Sequence, residues 1–155
     1  MSHAFWDWSL EKYDGSDVKS ACLDLQDTFG LNVNILLWCC WLAQENRDAS
    51  ALIEQAVHTI EPWSSNFTCA IREIRQQASE DPHAASLYKS LLACELDAEQ
   101  IEQSMLFDLA SAAQEAGCGI IDLARTALLT YADIKGVETD FTPLLKAVFP
   151  DRKTV

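Results

Sequence analysis

Glycine and proline are scarce in this sequence, five and four in 155 residues. That is too few turn formers for the many short loops of a β-sandwich or barrel. Basic residues are scarce as well. Eleven Lys and Arg stand against 24 Asp and Glu, a net charge of −13, which repels phosphate backbones and argues against nucleic-acid binding. The longest strongly apolar run, Ile35 to Ala43, falls far short of the ~20 residues that span a bilayer, so no membrane anchor is expected. No Gly-x-Ser-x-Gly elbow, Walker loop or Gly-x-Gly-x-x-Gly occurs, so the common frames for a nucleophile or a phosphate are missing. Nothing at the N-terminus resembles a signal peptide.

Six cysteines are present, at 22, 39, 40, 69, 94 and 118, without a Cys-x-x-Cys. They sit in apolar helical patterns and read as free thiols, small buried hydrophobes of a reducing cytoplasm. The acids are unevenly spread. Met1 to Gly30 holds six acids and two bases, His83 to Gly117 six and one, and Cys118 to Val155 five and five. This is the pattern of a solubilising surface or of an acidic docking face for a basic partner.

What is present is helical. A hydrophobic fraction of 49% with 23% charged residues is that of a globular chain, long enough for a metal-free core. One domain is expected over residues 1–155, ordered from about 4 to 149. Phe5 to Tyr13 reads as an aromatic first helix. Ser16 or Asp17 caps a second that Gly30 ends, and Asn32 or Asn34 opens a third, apolar on every face and therefore central. Asp48 or Ser50 caps a fourth, which Glu61-Pro62 breaks. A fifth turns Phe67, Ala70, Ile71 and Ile74 inward. Pro82 starts the longest, running to about Ala116. Ile120 to Lys135 and Thr142 to Phe149 complete an all-α bundle of seven or eight helices around Ile35 to Ala43, with no strand.

Four stretches carry a resemblance: Phe5-Trp6-Asp7-Trp8-Ser9-Leu10, Ala21 to Asp27, Leu31-Asn32-Val33-Asn34-Ile35-Leu36-Leu37 and Glu95-Leu96-Asp97-Ala98-Glu99. Through them, from Phe5 to about Met105, the chain resembles a family of uncharacterised, mainly proteobacterial proteins known as a domain of unknown function. The resemblance implies a bacterial, cytoplasmic setting and carries no activity, cofactor or catalytic residue.

The long helix holds the chief candidate features. Leu87, Leu91, Cys94, Ala98, Ile101 and Met105 alternate spacings of four and three, which predicts a continuous packing seam. Beside it runs a second column, in which Glu95, Glu99 and Glu102 interrupt an apolar stripe. If the fifth and sixth helices pack antiparallel through Asp81-Pro82, Arg72 and Arg75 meet that column as an inter-helix ion network. A solvated acidic face and a ligand site are the alternatives. A two-iron site needs two Glu-x-x-His motifs, and only Glu80 to His83 has that spacing, with Pro82 inside it. His3, His58 and His83 lack zinc-ligand spacing. No catalytic residue, metal or cofactor is therefore assigned.

Trp38 and Trp41 belong in the core. Trp6 and Trp8 lie about 200° apart around a helix, so one of them sits at an edge, under another element, or exposed. Candidate binding residues are thus Trp6, Trp8, Trp38, Trp41, Arg72, Arg75, Glu95, Glu99 and Glu102. They leave three readings open. The first is a non-enzymatic protein that binds another protein, itself a monomer or homodimer. The second is a small-molecule binder or enzyme with a pocket near Trp38, Trp41, Arg72 and Glu95. The third is acidic mimicry of nucleic acid.

Overall fold

A helix that is apolar all round must lie inside, and it does. In the computed structural model, which describes residues 2–153, every residue from Asn34 to Ala43 is buried. Met1, Thr154 and Val155, the ends of the expected domain span, lie outside the described residues. Among the described residues there are eight α-helices: α1 Ala4–Tyr13, α2 Ser16–Phe29, α3 Val33–Gln44, α4 Ile53–Trp63, α5 Cys69–Ser79, α6 Ala85–Ala110, α7 Ile120–Lys135 and α8 Thr142–Val148. The fold is all-α. The central helix α3 packs against α1, α2, α6 and α7, and most of the buried apolar side chains form one contiguous core.

Local chemistry sets the boundaries. The Asn32 side chain accepts from the backbone N–H of Asn34 at 2.8 Å and of Ile35 at 3.3 Å, which caps α3. Asp48 accepts from the N–H of Ser50 at 2.9 Å and opens the turn leading into α4. Gly30 and Gly136 end α2 and α7 at φ 69° and 68°, the left-handed conformation that glycine adopts without a Cβ penalty.

Pro62 does not break the chain. It sits inside the end of α4, and a π-helical turn over Ser64–Thr68 joins α4 to α5. The extra residue of a π turn rotates everything after it relative to an α-helical count. That rotation corrects the expected inward face of the fifth helix: Phe67 and Ile74 are 48% and 50% exposed.

The sixth helix stops at Ala110, short of Ala116. There the Arg47 guanidinium donates to the carbonyls of Ala110 and Ala113 and caps the negative end of the helix. The chain then forms a two-residue strand, Gln114–Glu115, antiparallel to Arg47–Asp48, where none was expected. Trp6 and Trp8 are both buried. Because α1 packs against α2, α3 and α6, side chains 200° apart are both covered.

Candidate functional site

A short turn forces α5 and α6 to lie antiparallel, and the residues between them decide which faces meet. Arg72 Nε donates to Glu95 Oε1 at 2.8 Å and its Nη2 to Glu99 Oε1 at 3.1 Å. Arg75 Nε donates to Glu95 Oε2, and the Arg75 guanidinium stands 6.0 Å from the Tyr88 ring centroid. The carboxylate column thus lies inside the hairpin, with Glu95 only 6% exposed.

Deeper in, Glu102 is fully enclosed, and its carboxylate is held by neutral side chains. Asn34 Nδ2 and Asn32 Nδ2 donate to its Oε2 at 2.8 and 3.2 Å, and Thr68 Oγ1 donates to its Oε1 at 2.7 Å. Gln103 Nε2 extends the network to Asn34 Oδ1 at 3.0 Å and Ser9 Oγ at 3.1 Å. The Tyr131 hydroxyl accepts from the Asn32 N–H at 2.8 Å. The Leu-Asn-Val-Asn stretch therefore has two tasks, capping α3 and holding a buried carboxylate. The sequence reading missed Asn32, Asn34 and Thr68 as its donors. A legible signal was Asn34, a polar residue at the head of an otherwise apolar helix.

Burial raises the Glu99 carboxyl to about 7, against the pull of Arg72 and with the push of Glu95 and Glu102. Tyr13 is raised to about 12, first by burial, then by Cys22 and Glu99. A carboxyl raised on folding from its ordinary 4.5 contributes stability below about pH 4.5, and that contribution is lost as pH rises through about 7. Glu99→Gln should therefore match the parent at pH 5 and melt slightly higher at pH 8, since it removes a half-buried charge. Thermal unfolding at the two pH values checks this; a variant equally or less stable at pH 8 contradicts it.

The column occupies the face of α6 that the apolar seam was expected to take. A helix contact cannot hold both stripes, and the carboxylates have partners on α5 and α3. The seam consequently splits: Leu87 is 54% exposed, Ile101 42% and Cys94 exposed, while Leu91 is partly covered, Ala98 is buried and Met105 packs against the core. This corrects the expected packing seam, and it corrects Cys94 and Cys118 as buried thiols. Cys22, Cys39 and Cys40 are buried, and burial pushes all three thiols up, away from reactivity.

The remaining candidates are core side chains. Trp38 is fully enclosed and Trp41 stacks on Phe5 at 5.1 Å. Trp8 Nε1 donates to Gln44 at 3.1 Å. Cavities of about 410 and 180 Å³ lie at the start of α7 and between α2 and α8; neither is lined by Trp38, Trp41, Arg72 or Glu95. Among the described residues, no group of three His, Cys, Asp or Glu side chains is arranged to hold a metal ion, and no helix is long and apolar enough to cross a membrane.

Residues 4–106 match a family described as "Protein of unknown function (DUF2390)", and the chain belongs to it. The match spans α1 through most of α6, and so includes the carboxylate network and the exposed seam. No curated protein and no solved structure matches the chain.

Proposed function

We propose that this DUF2390 chain is a non-enzymatic protein-binding module of the bacterial cytoplasm, working through the outer face of its α5–α6 hairpin. One observation carries the reading. Phe67, Ile71, Ile74 and Ala78 are spaced four, three, four, and so are Leu87, Leu91, Cys94 and Ala98. Antiparallel packing and the helical period put both seams on one flank of the hairpin, where Ile74, Leu87 and Cys94 are exposed and Phe67, itself half exposed, stacks on Trp63 at the end of α4. Four-three spacing is the signature of helix-on-helix packing, and contiguous exposed apolar surface marks interaction sites.

The acidic column is the support for that face. Its ion pairs and the Glu102 cluster fix how α5 and α6 are turned, so the seams are presented rigidly. Glu73, Glu80, Asp81, Asp97 and Asp108 are the exposed acids of the hairpin and Lys89 its exposed base; they keep it soluble while the apolar flank selects the partner.

Site-specific photo-crosslinking in cells tests the reading. A photoreactive residue at Leu87 or Ile74 should give discrete protein adducts, whereas one at the exposed Glu54 on α4 should not. Equal absence of adducts at all three positions rules the reading out.

A further inference from the structure

We infer that the occupant of this face is one amphipathic helix of another protein, apolar along one side and basic along the edge that meets α6. The inference rests on the reading that the hairpin's outer face binds protein, and it names the chemistry of that partner.

The groove between the seams suits a helix. Its floor is two α-helices, whose backbone N–H and C=O groups are bonded within each helix and offer nothing to a guest. An extended segment would lay its own backbone groups unpaired against apolar side chains, whereas a helix satisfies them internally. Side chains at four-three spacing leave gaps that the ridges of one further helix fill. Trp63 stacks on Phe67 and closes the inner end of the α5 seam. The open stretch of α6, from Leu87 to Ile101, is about 20 Å long, room for a guest of about four turns.

Charge sets which helix fits. The acids that keep the hairpin soluble also border the groove. Leu87, Ser90, Cys94, Asp97, Ile101 and Asp108 follow spacings of three, four, three, four and seven, and all six are exposed. One edge of α6 therefore mixes apolar side chains with carboxylates. The helical period puts Lys89 on the other side of that helix. A guest lying along this edge meets carboxylates three turns apart, and a net charge of −13 draws a basic segment towards it. An acidic helix gains no such attraction, and a second copy of this chain is repelled. The strongly exposed apolar side chains, Phe67, Ile74, Leu87 and Ile101, supply well under the ~800 Å² per partner of a stable complex. The contact is therefore transient, and the charged edge makes it salt-sensitive.

Synthetic peptides of about 16 residues test this by fluorescence anisotropy against the full chain. One carries leucines at four-three spacing flanked by lysines, another the same leucines flanked by glutamates, and a third is a scramble of the first. The leucine–lysine peptide should bind and slow maleimide labelling of Cys94, while Cys118, exposed outside the hairpin, labels at an unchanged rate. Asp97→Asn with Asp108→Asn should weaken binding about fivefold at low salt and flatten its salt dependence; Glu54→Gln on α4 should change neither. Ile74→Ser with Leu87→Ser should weaken it about tenfold, and Leu87→Ser alone serves if the double variant loses helicity. Equal affinity for the glutamate peptide or the scramble overturns the inference, as does binding indifferent to the two aspartates. Protection of Cys94 without peptide, at a mass above 17.3 kDa, makes the occupant a second copy and overturns it too. Failure of every peptide to bind also overturns it. In that case adducts at position 87 in cells leave the docking reading standing, and their absence removes both.

Discussion

Glu102→Leu should lower the melting temperature by about 10 °C, the largest effect expected of any single replacement in the polar network. Leucine nearly matches glutamate in size, so the loss comes from hydrogen bonds rather than from a cavity. Asn34 Nδ2 and Thr68 Oγ1 lose their acceptor, and Asn32 Nδ2 is left with a long 3.5 Å contact to Ser64. Each stranded buried donor costs about 1–3 kcal/mol, so the sum is about 3–4 kcal/mol, at roughly 2–4 °C per kcal/mol for a chain of this size. Glu102→Gln should cost much less. Its carbonyl still accepts from both asparagines, and its amide donates to the Thr68 hydroxyl, which can turn to accept. Calorimetry of both variants checks this. Equal losses for Leu and Gln would show that the charge, and not the acceptors, is what the cluster holds.

Arg72→Met and Glu95→Gln should each destabilise by about 2 kcal/mol, and the double variant by less than the sum. Removing one partner of an enclosed pair costs about 3–5 kcal/mol. The figure here is smaller because water reaches the Arg72 side chain, 22% exposed, and because Glu95, 8% exposed, keeps Arg75. A coupling of about 1 kcal/mol or more in the double-mutant cycle is expected, unchanged by magnesium, manganese, zinc or chelator. Additive losses would remove the network from the account, and stabilisation by a metal that Glu95→Gln abolishes would make the column a ligand site.

The sequence showed which residues share a face more clearly than what covers that face. The central helix was legible because Ile35 to Ala43 has no polar side to expose, and its start because Asn32 caps it. The meeting of Arg72 and Arg75 with Glu95 and Glu99 followed from counting outward from Asp81-Pro82. The π turn was not legible, since its extra residue has no compositional mark, and it moved Phe67 and Ile74 to the outside. The end of α6 depended on Arg47, 63 residues before Ala110, a contact that local spacing does not encode. Leu87, Leu91, Cys94 and Ile101 formed a true helical stripe, yet amphipathic spacing does not say whether the same chain supplies a cover.

Thermal unfolding of the Ile74→Glu, Leu87→Glu double variant at sub-micromolar concentration tests most directly whether the hairpin's apolar face is left open by the fold. With the chain dilute, partner contacts add no stability, so only packing within one copy is read. The account predicts a melting temperature within about 4 °C of the parent, because exposed sites typically change stability by no more than about 0.5 kcal/mol each. A loss of about 10 °C or more would mean that the seam is covered by its own chain, and would contradict its role as a docking surface.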